Sequence, residues 1–112
     1  MRGLEIRSSQ LPNGWQCIVV DGEIDLATVP ELERAIDSVF EADSTSLVID
    51  LTSSSFMDST GLKALVMANR RYQESGRGFA LAIDGGPISR LIDLSGVDAS
   101  IKIVASTDDL EG

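Results

Sequence analysis

Three short, almost wholly apolar runs punctuate the chain: Leu47-Val48-Ile49-Asp50-Leu51, Phe79-Ala80-Leu81-Ala82-Ile83 and Ile101-Lys102-Ile103-Val104. Runs this short and this apolar suit strands covered by other layers. Between them, apolar residues recur every three or four positions, which is the spacing of a helix with one buried face. Strands separated by helices pair in parallel through right-handed crossovers. The fold class is therefore α/β.

The first quarter of the chain adds a different pairing. Leu4-Glu5-Ile6-Arg7 alternates and predicts an edge strand with one buried face. Pro12-Asn13-Gly14 is a turn signal, and Trp15 to Ile24 predicts a longer strand. An initial antiparallel hairpin then makes the mostly parallel sheet mixed. Gly22 interrupts the second strand and predicts a bulge or a close approach of another backbone. The expected order is β-β-α-β-α-β-α-β in one domain spanning 1–112. From Ser106 onward, a short helix and a fraying acidic tail are equally compatible with the residues.

The helices have legible ends. Val29, Leu32, Ala35, Ile36, Val39 and Phe40 form one apolar stripe. Thr28 with Glu31 fits a capping box, and Pro30 is tolerated in a first turn. Glu41 to Thr45 reads as the exit loop, and Thr52-Ser53-Ser54-Ser55 as a polar loop. The second helix is predicted over Ser59 to Ser75, with Leu62, Leu65, Val66 and Asn69 on one side and Gly76-Arg77-Gly78 as its stop. A third is predicted over Ile88 to Leu94, with Ile88, Leu91 and Ile92 inward and Gly96 ending it.

Composition removes several function classes. A chain of 112 residues can bury a real core without staples. No histidine is present, so the commonest general base and metal ligand is absent. The single cysteine, Cys17, sits in an apolar strand and reads as an inert core residue. Neither a metal nor a cofactor is expected. A net charge of −9 argues against nucleic acid and anionic membrane surfaces as partners. It fits both solubility and a long-range bias toward a basic partner face. No apolar stretch is long enough to span a bilayer, and Met1 to Glu5 lacks a signal-peptide layout. Cytoplasmic residence without membrane insertion is the expectation.

The segment richest in chemistry is Ser55-Phe56-Met57-Asp58-Ser59-Thr60-Gly61-Leu62. It places hydroxyls and a carboxylate where a helix begins. Asp, Ser and Thr are favoured there simply as caps, and on the residues alone that is the plainer reading. The same helix end offers free N–H donors and a partial positive charge, so a phosphate on a hydroxyl would be tolerated or even held there. It would add roughly −1.5 to −2 charge at the surface beside Asp58. Gly61 is expected to leave room for another chain. Upstream, Gly22-Glu23-Ile24-Asp25 with Thr28 reads as a strand end, a helix cap and two solvated carboxylates. Ile88 to Val97 reads as core packing with a glycine stop.

Taken together, Gly22-Glu23-Ile24-Asp25-Leu26-Ala27-Thr28 and the later Phe56-Met57-Asp58-Ser59-Thr60-Gly61 resemble the STAS family, and within it the bacterial anti-anti-sigma factors. The resemblance covers nearly the whole chain. It implies a binding module rather than an enzyme. Unphosphorylated, such a protein binds an anti-sigma factor that is also a serine/threonine kinase using ATP and Mg²⁺, and so frees a sigma factor. Ser59 matches the phosphorylated serine, whose modification weakens the complex until a serine phosphatase resets it. By the same resemblance the partner surface includes Gly22, Glu23, Asp25, Thr28, Asp58, Thr60, Gly61 and Leu62, with Asp25 meeting a basic residue. Thr60 ranks below Ser59 as an acceptor. Leu26 and Ala27 stand where relatives often carry histidines, Thr60 where many carry serine, and Lys63 where many carry glycine. STAS domains also serve as scaffolds in stress-signalling complexes and beside membrane transporters, where Ser59 would only cap a helix. Enzymatic use of Asp25, Asp50 or Asp58 lacks an identifiable nucleophile–base pair.

Overall fold

Gln16 to Ile24 forms the strand around which the sheet is built, β2, and it is paired along both sides. On one side lies β1 (Glu5–Gln10), antiparallel, with Glu5 opposite Asp21 and Gln10 opposite Gln16. On the other side two short strands follow each other along it. β3 (Leu47–Asp50) pairs in parallel with its first half, and β4 (Ser54–Met57) with its second. β5 (Phe79–Ala82) and β6 (Lys102–Val104) continue the sheet beyond β3, both parallel, giving the order β1-β2-β3-β5-β6. This computed structural model describes residues 3–42 and 45–110. Residues 1–2 and 111–112, like Asp43 and Ser44 of the predicted exit loop, lie outside the described residues.

Three helices cover one face: α1 (Val29–Ala42), α2 (Ser59–Glu74) and α3 (Gly86–Ser95). The alternation along the strands explains why. Ile18, Val20, Leu47, Ile49, Phe79 and Leu81 point to the helix side and are fully or almost fully buried there. They meet Leu32 and Ile36 of α1, Leu65 and Tyr72 of α2, and Ile88 and Ile92 of α3. The opposite face is closed by a smaller cluster of Cys17, Val48, Ala80 and Ala82, under Leu110 and partly buried Trp15 and Leu11. Strands covered on both faces lose the polar/apolar alternation, hence the continuous apolar runs of β3 and β5. The Cys17 thiol is pushed up to about 11 by its burial and by the nearby Asp50 carboxylate, which fits an unreactive core residue.

The architecture agrees with the predicted α/β class, the antiparallel first pair and the parallel remainder. Close to the end of the described residues lies a short 3-10 turn, Thr107–Asp109, capped reciprocally by Ser106 and Asp109. Another such turn, Val97–Ala99, links α3 to β6. α2 ends as predicted: the Gly76 and Arg77 amides bond back to the Gln73 and Tyr72 carbonyls.

Three expectations need correction. The exit loop predicted from Glu41 begins too early, because Glu41 and Ala42 belong to the last turn of α1. The polar loop predicted over Thr52 to Ser55 is partly strand, because Ser54 and Ser55 belong to β4. The Ser54 hydroxyl donates to the Val20 carbonyl at 2.8 Å, tying this strand to β2. The capping box predicted for Thr28 and Glu31 does not form. The Thr28 hydroxyl turns back to the Glu23 carbonyl and the Asp25 amide, and Glu31 accepts from the Leu4 amide at 3.1 Å. Asp25 instead serves the start of α1, accepting from the Ala27 and Thr28 amides. None of the helices among the described residues is long and apolar enough to cross a membrane.

Candidate functional site

The site is assembled where β2 and β4 end side by side. Glu23 pairs with Phe56 and Ile24 with Met57, and the Asp58 amide then donates to the Ile24 carbonyl at 3.1 Å. The loop after β2 and the start of α2 are thereby locked together. Gly22 makes this alignment possible. Its φ of +121° is open only to glycine at low cost, and the strand register slips between Gly22 and Glu23. The bulge predicted from the sequence therefore re-aims the end of β2 toward β4.

Asp58 is the N-cap of α2, in extended backbone conformation. One carboxylate oxygen accepts from the Thr60 amide at 3.0 Å, the Gly61 amide at 3.2 Å and the Thr60 hydroxyl. These bonds, the Thr60 hydroxyl foremost, hold the Asp58 carboxyl below the usual carboxylate range. Ser59 is the first residue of the helix and is exposed, and its hydroxyl takes no part in the cap. Thr60 is half-buried and its hydroxyl is committed to Asp58.

Gly61 does not leave room for a second chain. It is buried, and a Cβ there would lie 2.6 Å from Met57 Cγ and 2.7 Å from Ile24 Cγ2. The space that glycine provides is filled by this chain's own β2 and β4, which lets α2 press onto the strand ends. Leu62 is half-buried against the core. Thr28, only 6% exposed, shapes the Asp25 loop from beneath. Glu23 is exposed and Asp25 half-buried. Of the residues proposed from sequence, Glu23, Asp25, Asp58, Ser59 and Thr60 thus reach the surface in adjoining segments, whereas Thr28 and Gly61 support them from within.

A groove of about 300 Å³ opens beside these segments, walled by Glu5, Asp21, Glu23 and Asp25 with Ser53 and Ser55. Four carboxylates on its walls give it a strongly negative field suited to a cationic side chain. Glu5, Asp21 and Ser53 carry no signature in sequence, because three separate segments bring the groove together. Two large apolar residues are exposed in the same region, Leu26 at 74% on the loop after β2 and Phe56 at 44% on β4. Both lie within the motifs read from sequence, which did not single them out as exposed apolar surface. A larger groove of about 500 Å³ runs between α1 and α2 past Asp37, Met67 and Arg71, and none of the motif residues lines it. Asp50, weighed above as a carboxylate, is occupied by the Thr52 amide and hydroxyl of its own turn. Among the described residues, no group of three or more potential ligands could hold a metal ion.

Comparison with known proteins identifies the family. The STAS domain family model matches residues 9–110. The chain is similar to the anti-sigma-F factor antagonist RsfB of Mycobacterium tuberculosis, 35% identical over 97 residues that cover 87% of this chain and 79% of that protein. It is 32% identical to the anti-sigma-B factor antagonist of Listeria monocytogenes over 95 residues, 85% of this chain and 83% of that one. The crystal structure of an anti-sigma factor antagonist from Mycobacterium paratuberculosis superposes with a TM-score of 0.84 at 31% identity, covering 95% of this chain and 89% of that chain. With its family model, its relatives and its mixed sheet in accord, the chain belongs to the STAS domain family.

Proposed function

We propose that this protein is an anti-sigma factor antagonist switched at Ser59. Unmodified, it binds an anti-sigma factor with serine/threonine kinase activity and so releases a sigma factor. Phosphorylation of Ser59 weakens that complex, and a serine phosphatase restores it. The observation that carries the reading is the exposed Ser59 hydroxyl at the first position of α2, beside the Asp25 loop. Exposed Leu26 and Phe56 supply apolar area next to it, and the acidic groove supplies a seat for a basic residue of the partner. A phosphate here would add charge to a face that must be desolvated on binding, so it opposes docking without unfolding the domain. The names of the relatives support the same role.

The test uses the cognate kinase with ATP, followed by mass spectrometry. Ser59→Ala is expected to abolish phosphate incorporation while still binding the kinase, and Ser59→Asp to bind more weakly. Equal labelling of wild type and Ser59→Ala would remove Ser59 as the acceptor. Recovery of transporter subunits and no kinase in a pull-down would replace the reading with that of an accessory STAS subunit.

A further inference from the structure

We propose that the Asp58 carboxylate already fills the anion seat at the start of α2, so that a phosphate on Ser59 is held out in solvent instead of folding onto the helix. The inference rests on Ser59 as the modified residue, and it concerns where the phosphate goes. A helix start attracts a phosphate through its unpaired amides. Here those of Thr60, Gly61 and Leu62 are spent. Leu62 donates to the Asp58 carbonyl at 3.1 Å, and Thr60 and Gly61 donate to the Asp58 carboxylate at 3.0 and 3.2 Å. The Thr60 hydroxyl is bonded to the same oxygen.

A phosphate on Ser59 would have to expel that carboxylate to reach Thr60 and Gly61, against the repulsion of two like charges. It therefore remains hydrated and exposed, next to a second fixed negative charge. Two consequences follow. The modification is displayed to the partner as a compact cluster of negative charge on an unmoved scaffold. The ester also stays open to a phosphatase, which keeps the switch reversible.

The experiment builds phosphoserine in at position 59 during synthesis, so no kinase is needed. Wild type, Asp58→Asn and Asp58→Gly are each prepared with serine and with phosphoserine. Asparagine keeps an acceptor in the seat without the charge, and glycine empties the seat while remaining a tolerated N-cap. Amide proton resonances of Thr60 and Gly61 report a bound phosphate by moving downfield. They are expected to hold their positions in wild type and Asp58→Asn, and to move downfield together in Asp58→Gly. Alkaline phosphatase is expected to strip the wild-type ester faster than the Asp58→Gly ester. A downfield shift in wild type, a shift in Asp58→Asn as large as in Asp58→Gly, or no shift in Asp58→Gly would each overturn the proposal. Those failures leave Ser59 standing as an acceptor. Conversely, unlabelled Ser59 in the kinase assay would refute the acceptor while leaving this geometry intact.

Discussion

At the scale of single residues, Asp58 links stability to the proposed switch. Its carboxyl is held low by the Thr60 hydroxyl and by backbone amides of Thr60, Gly61 and Leu26. A carboxyl held lower in the folded than in the unfolded chain contributes stability above its unfolded value, near pH 3.9, and that contribution fades as pH falls through the folded value. Replacing an N-cap of this type by alanine costs about 1 kcal/mol. Asp58→Ala is therefore expected to lower the urea-unfolding free energy by about 1 kcal/mol at pH 7. The gap should narrow once the pH drops below about 4, as the wild-type carboxyl protonates. Urea titrations at pH 7 and at acid pH check this, and a gap that stays constant into acid would show that the charge contributes nothing to the cap. Ser59 itself is expected to matter little here, since its hydroxyl lies outside the cap. Under the proposed function, the modified residue can then be changed without disturbing the fold that presents it.

At the scale of elements, the loop from Asp25 to Thr28 shows what sequence could and could not reveal. Thr28 stood out in sequence as a helix-start residue, and it does sit at the start of α1. The partners of its hydroxyl could not be read from local spacing. They depend on the end of β2 bending back, so that the hydroxyl donates to the Glu23 carbonyl at 2.8 Å and accepts from the Asp25 amide at 2.9 Å. β4 was illegible for a related reason. Ser54 and Ser55 look like loop residues, and they become strand only because β4 continues the line of β3 along β2. In contrast β3, β5, α1, α2 and the position of Ser59 were legible, because apolar runs, helical spacing and caps are local signals. Thr28→Val keeps the shape and deletes the hydroxyl, taking this partner from the Glu23 carbonyl and the Asp25 amide, both part-buried. The expected loss is about 1 kcal/mol, with faster hydrogen exchange at the Asp25 amide. Thr28→Ser should recover most of it. Unchanged exchange at Asp25 in Thr28→Val would show that the hydroxyl does not hold this loop.

At the scale of the whole molecule, charge is distributed unevenly along the axis of α2. The helix begins at the motif end, where Glu5, Asp21, Glu23 and Asp25 line the acidic groove and Asp58 caps the first turn. It finishes at the other end of the sheet, where Arg70 and Arg71 share a groove with Glu33, Asp37 and Glu74, Arg71 pairs with Asp37, and Arg71 and Arg77 stack on the Phe40 ring, so that charges of both signs offset one another there. With a net charge of −9, such a molecule carries a field that draws a basic surface to the motif end first. Steering of this kind acts on the association rate and is screened by salt within about 10 Å at 0.1 M. Glu23→Lys and Glu74→Lys change the net charge equally, and both positions are exposed, but only Glu23 borders the groove. Under the proposed function, Glu23→Lys is expected to slow association with the anti-sigma factor about 10-fold at low salt, and Glu74→Lys far less. Raising the salt should bring the three proteins together. Stopped-flow association at two ionic strengths separates the outcomes. Equal slowing by the two variants would assign the effect to net charge, and no slowing by either would mean that the partner docks elsewhere than the acidic end.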